Sequence, residues 1–452
     1  MNGEEARRGN GVHAAGLGRT GKKQRVQAMK RILQNGGLAL LSIAVALLIL
    51  EGFLRLTPYG RMIGEDPLPP QDYYRSDALA GIDIRERAEE RAYRIKECEF
   101  GIRGNELGCF DEPYRGEEPF ILLVGDSFSW GYVPIEQNWG KGVEKQTGVR
   151  VLTCGVPGYG TRSEFLKARQ VVQRAGRKPQ LLIVAHFLND PIDDYLHPRY
   201  RVIEGYPVEA RGIADLSTGA IREKTNDTLR EELENWQRYG VPERPRHPTW
   251  KRIKLFLNER SVCYRILQLP VSAFLAKLTP AEGLRDSLVD PPAQTLRVAD
   301  LPFLSEAEHP WLAKAWKDHF EQLRSLRSWT QANGIGLLVV LIPMREQVYG
   351  FLPGAESWGS DGPTRRVREF LVREGIPHVD LLPVFRSHAD QGPRRFLDPQ
   401  KDLYWSLDGH WSPKGNRLAG LAVAGHLVER RLVTVRDEAD RLRAIREALE
   451  SF

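Results

Sequence analysis

The chain has 452 residues, 41% hydrophobic and 27% charged, the make-up of an ordinary globular protein rather than a disordered, collagen-like or low-complexity one. Its formal net charge is +6. Eight Lys/Arg against two Glu in residues 1–35 account for all of it; the other 57 basic and 57 acidic residues cancel, which argues against a nucleic-acid partner.

Taken in chain order, the basic tail of residues 1–35 runs into an apolar stretch, Gly36 to Leu50, that continues as far as Leu56. Residues 36–56 would form a helix roughly 30 Å long, enough to span a bilayer core. Glu51 and Arg55, spaced i,i+4 at its far end, can pair and reach the interface. No small-residue cleavage site follows, so the segment reads as an uncleaved, single-pass signal anchor; the alternative is a buried core helix. The positive-inside rule then leaves the tail in the cytoplasm and puts the rest on the periplasmic or extracellular side of the inner membrane.

Residues 57–115, rich in Pro, Arg and Glu, read as a membrane-proximal connector. Cys98 and Cys109 lie close together there and are a candidate bridge, with two free thiols as the alternative. Cys154 and Cys263 fall in an expected strand and helix and read as packed rather than paired. No Cys/His spacing suggests a metal site.

From residue 116 to the C-terminus the pattern alternates. Apolar runs at 120–124, 149–154, 181–186, 336–342 and 377–382 have the continuous hydrophobicity of strands buried on both faces. Helical patterns at 136–146, 162–175, 309–332 and 363–374 separate several of them, and 415–430 and 436–450 read as closing helices. This predicts an α/β domain, a mostly parallel sheet with helices on both faces. Residues 191–305 break the rhythm and read as a large insertion with one amphipathic helix near 249–268. The charged run at 222–238 reads as a solvated helix face, and Trp311, Trp316 and Trp329 as core.

Four segments at the ends of these runs carry candidate chemistry. The first strand stops at Gly125-Asp126-Ser127, which delivers a serine to the sheet edge where open α/β folds build ligand crevices. Alone it could be a capped turn. Cys154-Gly-Val-Pro-Gly158-Tyr-Gly160 lets backbone N–H groups approach a ligand, or simply makes a tight turn. Asn189 in Phe187-Leu-Asn-Asp-Pro191 could donate its amide to a developing oxyanion, or start a plain turn. In Asp408-Gly-His410-Trp411, an aspartate two residues from a histidine could orient the imidazole that serves the serine. His186 reads as packing or pocket lining, not as a second base.

In this order, over roughly residues 119–430, the four segments resemble the SGNH (GDSL-type) hydrolase superfamily. The stretches Leu341–Val348 and Asp380–Val384 also look like its membrane-anchored bacterial members. The resemblance implies a flavodoxin-like, three-layer α/β/α domain performing acyl-ester chemistry without metal or cofactor. It implies Ser127 as nucleophile, His410 as base and Asp408 as its orienting carboxylate. The oxyanion hole would come from the N–H of Ser127, the N–H of Gly158 and the amide of Asn189. Two positions depart from the common pattern: Phe187 stands where a glycine is usual, and the last pair is spaced D-x-H rather than D-x-x-H. The expected activity is that of an extracytoplasmic serine esterase on an O-acyl ester of an envelope glycan or exopolysaccharide. The alternatives are an O-acyltransferase using the same triad and a non-catalytic binding or assembly module.

Overall fold

The computed structural model describes residues 14–57, 60, 68–95, 98–116, 119–242, 244–245, 248–267, 310–349, 362–389, 402–405 and 409–452. Its centre is a parallel sheet of five strands: β1 (Phe120–Gly125), β2 (Arg150–Thr153), β3 (Leu181–His186), β4 (Gly336–Leu341) and β5 (His378–Asp380). They are the five apolar runs of the sequence. Their spatial order is β2-β1-β3-β4-β5, the flavodoxin-like order, and every neighbouring pair is parallel.

Each strand shows alternate side chains to opposite faces, and both faces are covered. Leu122, Val124, Leu182, Val184, Leu337 and Val339 pack on one side under helices Thr161–Ala175, Pro310–Asn333 and Gly362–Arg373. Ile121, Leu123, Ile183, Ala185, Leu338 and Val340 pack on the other under Trp139–Thr147, Leu382–His388 and Pro413–Glu429. The domain is therefore three-layered, α/β/α. Trp311 and Trp316 are buried and Trp329 packs against the same core, as the sequence suggests. Gly142 and Gly420 let two covering helices touch: a Cβ at Gly142 would lie 3.2 Å from the Gly420 Cα.

The sheet's chain order reverses between β1 and β3, so the strands leave a crevice at their C-terminal ends. Gly125-Asp126-Ser127 exits β1 at that point, and Phe187-Leu188-Asn189 exits β3. Between β3 and β4 the described residues form two hairpins, Tyr200–Glu209 and Arg211–Glu223, then helices Asn226–Tyr239 and Pro248–Arg260. Asn226–Tyr239 buries Leu229 and Leu233 and exposes its charges, as expected of a solvated face. Residues 268–305, the rest of the expected insertion, lie outside the described residues.

Two findings differ from the sequence reading. The stretch 57–115, read as a connector, contains two antiparallel hairpins, Tyr74–Ile84 and Arg91–Ile102. Their inward side chains, including Tyr74, Ile82, Ile84, Tyr93 and Phe100, form an apolar cluster with Trp130, Val133, Val156 and Tyr159 of the sheet edge. The strands are only four residues long, too short for their alternation to stand out among Arg and Glu. Buried Lys167 reinforces the contact: its ammonium reaches Asp83 Oδ1 at 2.5 Å and the Gly108 carbonyl at 2.6 Å. The second difference is the disulfide. Cys109 bonds to Cys154, 45 residues away, while Cys98 and Cys263 remain thiols. Closeness in sequence favoured Cys98; the folded hairpins bring Cys109 to the end of β2 instead.

The N-terminal helix, Ala14–Arg55, is the one described helix long and apolar enough to cross a membrane. The qualifying span is Gln34–Arg55, with mean hydropathy 2.4 and none of it buried in the protein.

Candidate active site

Ser127 opens a one-turn helix, Ser127–Trp130, directly after β1. N–H groups in a first helical turn have no intrahelical acceptor and point toward whatever lies beyond the helix end. Asp126 caps this turn by accepting from the Phe128 N–H at 2.9 Å. Burial pushes the Asp126 carboxyl up to about 7, partly offset by that N–H and by His410. Its Oδ2 lies 3.4 Å from Ser127 Oγ.

His410 comes from the far end of the chain and arrives through a β-bridge, Tyr404 to Trp411, in which the His410 carbonyl accepts from the Trp405 N–H at 2.9 Å. Fully buried Trp411 and the Ser412 cap of helix Pro413–Glu429 hold the following residues. The His410 Nε2 lies 2.8 Å from Ser127 Oγ. With the imidazole proton on Nδ1, the serine hydroxyl donates to Nε2. The ring is gripped on two sides: Tyr132 stacks on it at 4.2 Å between centroids and 24° between planes, and Phe128 lies at 4.9 Å. Tyr132 adopts φ +50°, an uncommon conformation for a side chain of its size.

Ser127, Gly158, Asn189 and His410 line one cavity of about 460 Å³. Asp408 lies outside the described residues. Gly158 has φ +82°, and a Cβ there would come within 2.4 Å of the Tyr200 ring, so both backbone conformation and close approach require glycine. Asn189 sits at the start of helix Asp190–Tyr195 and donates one amide hydrogen from Nδ2 to Asp193 Oδ2 at 2.7 Å. The amide's second hydrogen remains for another acceptor.

Sequence reasoning missed the residues that hold these donors. Asp193 is also bound by the Arg199 guanidinium, whose Nε donates to Glu209 at 2.7 Å. Burial pushes Asp193 up to about 6, with Arg199 opposing. Arg199 also lies 5.4 Å over the ring of Tyr200, the ring that abuts Gly158. One cation thus braces both the Asn189 amide and the Gly158 turn. Nothing in the spacing of Arg199 within a charged stretch singles it out. Phe187, at the departure from the common pattern, lines the cavity and packs on Phe128 at 4.4 Å. Arg199 also lines the cavity, and the rest of the lining is aromatic and apolar, with Tyr74, Tyr93, Trp130 and Tyr200 prominent.

His186, 2% exposed, faces His319 at 3.0 Å between Nε2 atoms, and His319 Nδ1 meets Asp194 at 2.8 Å. Burial holds both imidazoles well below their usual range, His319 at about 3, and raises Asp194 to about 7. His186 is outside the cavity lining and is packed, in line with its sequence reading.

The sequence model of the family described as "SGNH hydrolase-like domain, acetyltransferase AlgX" matches residues 304–447, which include His410 but not Ser127. None of the curated proteins compared with the chain matches it significantly. Solved structures with similarity include a member of the lipolytic G-D-S-L family from Veillonella parvula (11% identity, TM-score 0.30, covering 69% of this chain and 98% of that one). Others are a GDSL-like lipase from Bacteroides thetaiotaomicron (11%, 0.28, 71% and 92%) and a catalytic mutant of an acetylxylan esterase from Geobacillus stearothermophilus (13%, 0.30, 71% and 98%). Residues 304–447 are thus similar to an SGNH hydrolase-like family model, the strand order is 2-1-3-4-5, and Ser127, Gly158, Asn189 and His410 of the four sequence blocks gather at one sheet edge.

Proposed function

We propose that the protein is a serine-dependent esterase acting on an O-acyl ester. The 2.8 Å contact between Ser127 Oγ and His410 Nε2 carries this reading. His410 takes the serine proton as Oγ attacks the ester carbonyl carbon, and the carbonyl oxygen becomes an oxyanion. The Ser127 N–H, the Gly158 N–H and the second Asn189 amide hydrogen are the donors for it, each worth roughly 2.7–4 kcal/mol in such sites. Collapse breaks the ester C–O bond, and His410 returns the proton to the departing alcohol. Water then attacks the acyl-serine by the same route. Asp408, two residues from His410, is proposed as the carboxylate that orients the imidazole. An acceptor hydroxyl in place of water gives O-acyl transfer with the same residues, and the acetyltransferase description of the matched family favours keeping that reading beside hydrolysis.

An extracytoplasmic setting is part of the proposal. Its supports are the apolar span Gln34–Arg55 behind a basic tail, an arrangement the positive-inside rule favours with the body outside, and the Cys109–Cys154 disulfide, a bond of oxidising compartments. The cavity's aromatic walls suit the apolar faces of sugar rings, so an acylated envelope glycan or exopolysaccharide is the proposed substrate. The experiment is turnover of a chromogenic acetyl ester by the purified full chain, with and without an oligosaccharide acceptor. Release without acceptor identifies an esterase; release that depends on acceptor, with an acylated product, identifies a transferase. A folded protein inert in both arms, whose Ser127 is not labelled by a serine-directed phosphonate, would be a non-catalytic module.

A further inference from the structure

Helix Pro248–Arg260 turns three large apolar side chains outward: Trp250, Ile253 and Phe256, 43%, 44% and 54% exposed. Three-residue steps keep them on one side of the helix. Cations are interleaved with them. The exposed Arg260 guanidinium lies 5.0 Å over the Phe256 ring and Arg252 is exposed alongside, while Lys254, 5.8 Å from the Trp250 ring, is buried. Exposed Trp and Phe beside Arg is the composition of a helix lying in a membrane interface.

The chain just beyond this helix fixes where it sits. Glu51, in the last turns of the apolar span, accepts from the Ser261 hydroxyl at 2.9 Å, the Val262 N–H at 3.2 Å and the Cys263 N–H at 2.9 Å. Arg55 donates to the Arg260 carbonyl at 2.5 Å and pairs with Glu51 at 2.8 Å. Two residues of the N-terminal helix thus grip a segment more than 200 positions away in sequence, at the depth where that helix would leave the hydrocarbon.

We propose that helix Pro248–Arg260 lies in the bilayer interface, with Trp250, Ile253 and Phe256 in lipid at the headgroup–acyl boundary. The catalytic domain is then seated on the membrane surface in a set orientation instead of swinging on a tether. The inference rests on Gln34–Arg55 spanning the membrane, and its test separates the two. In the full chain carrying Cys98→Ser and Cys263→Ser, a single environment-sensitive fluorophore is attached at Ile253→Cys, Leu48→Cys or Val372→Cys. The protein is reconstituted in phosphatidylcholine–phosphatidylglycerol vesicles containing lipids with a nitroxide quencher near the headgroup or at the bilayer centre. The probe at position 48 should be quenched from the bilayer centre, and the probe at 253 from near the headgroup, about threefold more strongly than the probe at exposed position 372 on a helix far along the chain. Quenching at 48 with water-like behaviour at 253 overturns the surface seat and leaves the span intact. No lipid quenching at 48 overturns the span, and the seat with it. A probe at 253 shielded from both lipid quenchers and aqueous iodide means protein covers the face, a second copy or another segment of this chain, and also overturns the proposal.

Discussion

The site has two sides built by different rules. On the sheet side, Ser127, Gly158 and Asn189 stand at the C-terminal ends of parallel strands, where buried apolar runs must stop and expose backbone and polar side chains. On the cover side, Tyr74, Tyr93, Arg199 and Tyr200 come from short hairpins outside the sheet. The sheet side carries the proposed reactive groups at positions set by backbone geometry. The cover side supplies cavity wall and bracing, the bracing through contacts such as Arg199 to Asp193 to Asn189. Substitutions on the first side should therefore cost about 10²-fold or more in turnover, and those on the second less.

The sharpest break in that contrast is Ser127→Ala. Turnover of the chromogenic ester should fall by roughly 10⁴-fold or more with the thermal midpoint unchanged. A residual rate within about tenfold of the native protein would displace Ser127 from its proposed role. The Cys109–Cys154 bond joins the two sides, since Cys109 belongs to the cover segment and Cys154 follows β2. The paired substitution Cys109→Ser with Cys154→Ser should lower unfolding free energy by up to about 4 kcal/mol, on the entropy of closing a loop of that length. Asn189→Ala should lower kcat by roughly 10²- to 10³-fold with little change in KM, as expected of a donor used only in the transition state.

A smaller effect is expected from the cover. Arg199→Ala should lower kcat by between about tenfold and 10²-fold, because Asp193 loses its cation and the Asn189 amide its fixed aim. An Arg199→Ala rate as low as that of Asn189→Ala would mean the two sides are not separable in function. The gentlest probe is pH. Asp126, Asp193 and Asp194 titrate at about 7, 6 and 7 in the folded protein, above the usual aspartate value near 4, because burial disfavours their charge. A raised folded pKa means the native state holds more protons, so the stability from each group is fully present below about pH 4 and lost as pH rises to about 7. Urea midpoints should fall between about pH 6.5 and pH 8, above the range in which the depressed imidazoles of His186 and His319 act in the opposite sense, and Asp126→Asn should make that fall shallower.

The same division decides what was legible in the sequence. The five strands were, because a parallel strand covered on both faces must be apolar throughout, as in Phe120–Val124 and Leu181–Ala185. The four chemical blocks were, because they follow those strands. The cover was not. Tyr93 and Phe100 alternate with Arg, Glu and Gly over four-residue strands, and Arg199 looks like any charged residue until the fold sets it against Asp193 and Tyr200. The cysteine pairing failed for a related reason: the bond depends on the hairpins, and sequence proximity says nothing about them.

The disulfide has one more consequence. Residues 109–154, which contain β1, Ser127 and β2, form a covalent ring. A protease that cuts one peptide bond inside the ring opens it without separating the pieces, and Ser127 stays attached to both halves of the chain. Shedding Ser127 from the rest of the protein would take a second cut or a reductant.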